Sequence, residues 1–271
     1  AASDVYKRQE YLERIVRVEQ DVWHAPLTAP ALGQRLTYWI EADDVLSEPV
    51  ALMGEAWVSG GGVAAQTDGA LTLRRDSEGL SAVGLPKIIR LEWLTDGRRA
   101  RRVRFSVACA ADDGFYGLGE RFNALNQRGN VMDVRCYEQY KNHGQRTYMP
   151  IPFLLAWSAE ASNGYGVFVD SLRWMQFDLA AAQPDCWTLE ADLGADETLR
   201  LIPYHGDDPY AIVGQFAQAT GPVLLPPQWS FGLWMSSNEW NSQARVLHEV
   251  EQSLKHGIQP AVLVIEAWSD E

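Results

Sequence analysis

Arg101-Arg102-Val103-Arg104-Phe105-Ser106-Val107-Ala108-Cys109 places an apolar side chain at every second position from Val103 to Val107, with an arginine and a serine between them. That period of two is what a strand with one buried face requires, because successive side chains leave opposite sides of the backbone. Outward from this segment the same signal recurs at 36–42 (LTYWIEA), 50–58 (VALMGEAWV), 70–76 (ALTLRRD), 88–94 (IIRLEWL), 166–172 (GVFVDSL), 174–180 (WMQFDLA), 186–193 (CWTLEADL) and 197–206 (ETLRLIPYHG). Gly, Asp, Asn and Pro clusters separate these runs, so residues 36–201 are expected to form a mainly β domain of two packed sheets. Gly60–Gly62 reads as a turn between strands, since no helix signal follows it as a phosphate cradle needs. The basic run Arg98, Arg99, Arg101, Arg102 and Arg104 reads as a solvated strand edge or turn.

At Asp207 the period changes. Asp208 can cap a helix, Pro209 suits its first turn, and Ile212, Phe216 and Ala217 follow at helical spacing up to Thr220-Gly221. The proline-rich GPVLLPPQW (221–229) reads as a domain junction, with the boundary near Pro226. Beyond it come an apolar run FGLWMS (231–236), a helix over 242–256 carrying Val246, Val250 and Leu254 on one stripe, and a strand AVLVIEAW (261–268). This is one βαβ unit. From Pro226 onward only 46 of the 271 residues remain (271 − 225), against roughly 250 for a (β/α)8 barrel, so the chain is expected to be a truncated barrel protein. The organisation expected is therefore a non-native remnant at 1–9 (AASDVYKRQ, lacking an initiating Met), a β-sandwich at 10–225 and the start of a barrel at 226–271.

A net charge of −13 opposes binding to nucleic acid or an anionic membrane surface. No stretch is apolar enough to span a membrane, and the first fifteen residues have no secretory apolar region. Three widely spaced cysteines, Cys109, Cys136 and Cys186, argue against a disulfide framework and for a reducing compartment, the cytoplasm. The five histidines have no metal-ligand spacing beyond a loose pair, His248 and His256, which reads as a solvated helix face. Neither a metal nor another cofactor is expected.

Phe115–Gly129 reads FYGLGERFNALNQRG, and 141–177 reads KNHGQRTYMPIPFLLAWSAEASNGYGVFVDSLRWMQF. These blocks, followed by TGPVLLPPQWSFGLWMSSNEW (220–240), resemble the amino-terminal half of family 31 glycoside hydrolases. The resemblance covers residues 100–271 and extends to the first hundred only in strand pattern. It implies a galactose mutarotase-like β-sandwich leading into a (β/α)8 barrel, in a retaining α-glycosidase acting on α-linked glucosides or related sugars. Retention needs two carboxyl groups about 5–5.5 Å apart. In the family both are aspartates on later barrel strands, so this chain is expected to be inactive by itself, with its longer parent binding an oligosaccharide or glycoside and free to form a homo-oligomer.

Glu120 beside Arg121 reads as a structural ion pair. The long polar and aromatic loop 122–146 is a stronger functional candidate. By resemblance it leans over the barrel mouth, and Asp133, Arg135, Tyr137 and Glu138 are its candidate sugar contacts. Many family members carry a Trp and an Asp where this chain reads VMDVRCYEQY. Of the eleven tryptophans, Trp157, Trp174, Trp187 and Trp229 read as packing residues. Trp234, Trp240 and Trp268 read as lying at carboxyl ends of barrel strands, where active sites are built. Glu266 joins them as a sugar-binding acceptor or half of a structural pair. Two rivals are a non-catalytic carbohydrate-binding sandwich and an aldose-epimerase-like enzyme, the latter needing His205 and a glutamate to converge in one groove.

Overall fold

The computed structural model describes residues 16–18, 22–24, 27–42, 45–138, 141–221, 223–237 and 240–265. The chain divides into two compact units between Phe216 and Ala217.

The first unit is built on strands β1 (Ala56–Ser59), β2 (Gly62–Ala65), β3 (Leu71–Arg74), β4 (Ile88–Thr95), β5 (Ala100–Ala108), β6 (Asp113–Gly117), β7 (Val131–Asp133), β8 (Phe153–Ser158), β9 (Asn163–Val169), β10 (Met175–Leu179), β11 (Cys186–Asp192) and β12 (Leu199–Tyr204). One six-stranded sheet runs β7-β10-β11-β5-β4-β1 and the other β6-β8-β9-β12-β3-β2. Every pairing within them is antiparallel. The inward side chains of both sheets form one apolar core, with Val103, Phe105, Val107, Phe177, Trp187 and Leu189 fully buried. Burying side chains of this size is worth about 2–3 kcal/mol each, which makes the alternation of β5 decisive for its orientation.

β8 escapes a period-two reading for a physical reason. Leu154 and Ala156 join the sandwich core, while Phe153 and Leu155 pack on the opposite side against helix α1 (Pro209–Thr220). Both faces are covered, so FLLAWS is a continuous apolar run. Helix α1 starts as expected: the Asp208 carboxylate accepts the Ala211 N–H at 2.8 Å. It buries Ile212 completely and stacks Phe216 on Phe153 with ring centroids 4.3 Å apart.

Two expected strands each break in two. Arg35–Tyr38 pairs with Val50–Met53, and Glu41–Ala42 with Val45–Leu46, outside the two large sheets. The run 50–58 is interrupted at Gly54, where an added Cβ would overlap the Ala31 carbonyl oxygen, and only its second part enters the sandwich as β1. The arginine run also departs from expectation. β5 lies between β11 and β4, not at an edge, and Arg102 and Arg104 project from its outer face into cross-strand carboxylates. Arg98 and Arg99 occupy the turn before it, where the Asp96 carboxylate accepts both backbone N–H groups.

The second unit contains β13 (Leu233–Ser236), α2 (Gln243–Lys255) and β14 (Pro260–Val264). β13 and β14 pair in parallel, as a crossover through a helix permits. Ser242 caps α2 by accepting the Arg245 N–H. At the other end the Ile258 and Gly257 N–H groups bond to the Ser253 and Leu254 carbonyls, with Gly257 at φ +75°, a Schellman stop.

Candidate functional site

The turn after β6 sets up the site. Gly117, Leu118 and Gly119 all have positive φ (94°, 60° and 91°). A Cβ on Gly119 would overlap the Met149 carbonyl oxygen, so glycine is required there. The same turn inserts Leu118 fully into the core and brings Arg121 underneath the following loop. Arg121 is not an ion-pair partner of Glu120, as the sequence suggested. Its guanidinium instead donates to the carbonyls of Leu118 (2.9 Å), Gln145 (2.6 Å) and Asp133 (3.1 Å). Burial lowers its pKa, opposed by the nearby Asp133 charge. A five-donor planar group is suited to tying three chain segments at once.

The loop 122–146 is less free than its sequence implies. Its centre forms β7, which adds to the edge of the first sheet through Val131↔Asp178, Met132↔Phe177 and Asp133↔Gln176, with Met132 fully buried. Gln127 is buried and bonds Asn123 and the Ala124 carbonyl, while Arg128 donates to the Asp113 (2.9 Å) and Pro184 (2.7 Å) carbonyls. The NQRG run therefore anchors the loop. Short segments such as VMD carry too few residues to show a period.

Three of the expected contacts come together on this anchored loop. The Tyr137 hydroxyl donates to Asp133 Oδ2, and that bond, with burial, raises the Tyr137 pKa. The guanidiniums of Arg135 and Arg146 lie 5.5 and 4.8 Å from the Tyr137 ring centroid, within cation–π range. A cavity of about 490 Å³ opens here, lined by Asp133, Tyr137, Asn142, His143, Arg146 and Gln176 among others. Glu138 stands exposed beside it and does not line it. Asp133 is the one carboxylate among the described lining residues. The arrangement offers hydrogen-bond donors and acceptors suited to hydroxyl groups, and lacks the paired carboxyls of glycoside cleavage.

The other candidates separate from this cluster. Glu266 and Trp268 lie outside the described residues. Trp234 is the second residue of β13, not at its carboxyl end, and its indole N–H turns back to the Ser230 carbonyl at 2.9 Å. It shares a tilted ring pair with Trp229, centroids 6.5 Å apart, and both are exposed, so Trp229 is not the packing residue expected. Trp187 is one: it is fully buried and donates to the Tyr165 hydroxyl at 2.7 Å. Trp174 is half-buried under the Arg102 guanidinium, 4.3 Å away.

His205 lines a different cavity, about 720 Å³, with Asp113, Tyr165 and Cys109. No glutamate lies among its described lining residues, so the epimerase pair does not assemble. Cys109, Cys136 and Cys186 are free thiols, and burial raises the pKa of Cys109 and Cys186 away from reactive thiolate.

Sequence reasoning missed Arg121, His143, Arg146 and Gln176. Gln176 was accessible to it, because the alternation of WMQFDLA puts Gln176 and Asp178 on the face opposite Met175, Phe177 and Leu179. The other three act through contacts that span the loop and leave no periodic trace.

Residues 61–178 match the glycosyl hydrolase 31 N-terminal galactose mutarotase-like domain. The chain is 38% identical over 184 residues to an isomaltosyltransferase of Sporosarcina globispora, covering 67% of this chain and 16% of that protein. It is 37% identical over 183 residues to a 1,3-alpha-isomaltosidase of Kribbella flavida, covering 67% and 25%. Among solved structures, the cycloalternan-degrading enzyme of Trueperella pyogenes in complex with cycloalternan aligns with a TM-score of 0.75 at 31% identity, over 92% of this chain and 33% of that one. The chain thus spans a quarter or less of the length of these two curated relatives.

Proposed function

Because the chain belongs, through residues 61–178, to the glycosyl hydrolase 31 N-terminal galactose mutarotase-like domain family, we propose that it is the sandwich and first βαβ unit of a retaining α-glycoside hydrolase. The observation that carries the reading is the order of its parts: an antiparallel sandwich of this family, then a parallel pair of strands joined by a helix. Parallel strands are stable only with both faces covered. Here Leu247, Leu254, Ile258 and Ile265 are exposed. Further βα units following β14 in a longer chain would cover them and close a (β/α)8 barrel.

In that protein the two carboxyl groups of a retaining mechanism come from later barrel strands, one as nucleophile and one as acid and base around an oxocarbenium-like transition state. The sandwich contributes the loop cavity. Asp133 accepts from a sugar hydroxyl while the Tyr137 phenol, already bonded to it, fixes the carboxylate's direction. Arg135 holds the Tyr137 ring from outside. Glu266 and Trp268, following β14, are proposed as the barrel's own sugar contacts. The names of the relatives, isomaltosyltransferase and 1,3-alpha-isomaltosidase, support an α-linked glucoside as the substrate class.

The test is hydrolysis of p-nitrophenyl α-glucoside and of isomaltose by the 271-residue chain beside a version extended through the barrel. Turnover is expected only in the extended protein. Turnover by the shorter chain would overturn the reading, and sugar binding without turnover by both would favour a non-catalytic carbohydrate-binding sandwich.

A further inference from the structure

The outer face of the first sheet carries a continuous polar row that ends at the candidate cavity. Strand pairing places Glu92, Arg104, Glu190, Gln176 and Asp133 side by side across β4, β5, β11, β10 and β7. Four inter-strand steps make this row about 19 Å long. Beside it runs a second row, Arg90, Ser106, Thr188 and Asp178. The turn after β10 rises over both, with the Asp178 carboxylate accepting the Ala181 and Ala182 N–H groups. Turn and sheet enclose a groove of about 280 Å³, lined by Arg90, Arg104, Asp178, Thr188, Glu190 and Gln176 among others.

Gln176 lines this groove and the loop cavity alike. It is half-buried, and its carboxamide has no hydrogen-bond partner among the described residues. The neighbouring carboxylates each engage an arginine through one oxygen: Glu92 through Oε2 and Glu190 through Oε1. Acceptor positions therefore remain open along the row, next to a donor-and-acceptor amide. The lining of the groove itself carries two arginines, Arg90 and Arg104, and two carboxylates, Asp178 and Glu190. Near neutrality, with donors and acceptors interleaved, suits neither a polyanion nor a polycation. It suits a neutral chain of hydroxyl groups, each able to donate and accept.

We infer that this groove is a second saccharide-binding site, continuous through Gln176 with the loop cavity, which takes further units of a neutral oligosaccharide. It rests on the saccharide role proposed for the loop cavity but not on bond cleavage, since it needs only the sandwich.

The test titrates the isotopically labelled 271-residue chain with isomaltotriose and maltotriose and follows backbone amide shifts. Shifts are expected at residues 104, 176, 178 and 190 as well as at 133 and 137. Gln176→Ala and, separately, Glu190→Gln should weaken binding about fivefold, the equivalent of one hydrogen bond, with the thermal midpoint of Q176A unchanged because its amide holds nothing in the fold. Binding equal to wild type in both variants, shifts confined to residues 122–147, no binding at all, or preference for a sulfated oligosaccharide would each overturn the inference. Hydrolysis is not read, so a failed α-glycosidase assay leaves this outcome unaffected.

Discussion

The guanidinium of Arg121 donates at 3.1 Å to the backbone carbonyl of Asp133, whose carboxylate in turn receives the Tyr137 hydroxyl. A residue of the turn after β6 thereby holds the one carboxylate among the described lining residues of the loop cavity, twelve positions further along the chain.

Replacing Arg121 tests that link. Its three bonds join the turn, β7 and the segment at Gln145. Hydrogen bonds to a charged group contribute about 1.5–3 kcal/mol each, not fully additively. Arg121→Ala is expected to destabilise the sandwich by about 3 kcal/mol, and Arg121→Lys by roughly half that, because an ammonium cannot span three acceptors. Denaturant unfolding measures both.

Gly119 admits no side chain. Its φ of +91° and the overlap of an added Cβ with the Met149 carbonyl oxygen combine strain and clash. Gly119→Ala is expected to cost more than about 3 kcal/mol, whereas Gly129→Ala, at φ +82° with nothing near its Cβ, should cost only about 1 kcal/mol. Comparing their thermal midpoints checks the difference.

Tyr165 makes the sandwich sensitive to alkali. Burial raises its pKa, partly offset by the bond from Trp187. The folded state then retains a proton that the unfolded chain loses near pH ~10, so stability is fully present below that value and falls as pH rises above it. Tyr165→Phe should flatten this alkaline decline while costing about 1–3 kcal/mol at neutral pH, since it leaves the buried Trp187 N–H unpaired. Unfolding measured from about pH 7 to 11 separates the two effects.

In the barrel-extended protein, Asp133→Asn and Tyr137→Phe are expected to raise KM for isomaltose about five- to tenfold with a smaller change in kcat. Each removes one hydrogen bond that positions substrate, and none that forms only in the transition state. Equal loss of kcat and kcat/KM would instead place these side chains at the reacting bond.

Much of the sandwich was legible because period-two alternation is a local property. β4, β5, β10, β11 and β12 each bury one face, and their sequences state which. β8 hid behind its double burial, and β7 behind its three-residue length. The candidate site was legible only in part. Asp133, Arg135 and Tyr137 were marked by their place in a polar loop, but nothing in their spacing announced that Arg146 would face the same ring or that Arg121 would tie the loop from below.

By itself, then, the sequence determined which residues form most of the strands and helices, which faces they bury, where the α1 cap falls, and the family of the sandwich. Those properties depend on neighbours within a few residues. Only the tertiary structure decided that β5 is an interior strand with its arginines neutralised across the sheet, that Trp234 turns away from the strand end, and that Glu92, Arg104, Glu190, Gln176 and Asp133 form one row. The reason is physical: strand neighbours are selected by how two whole faces pack, and residues as distant in sequence as Arg104 and Glu190 meet only after that packing is complete.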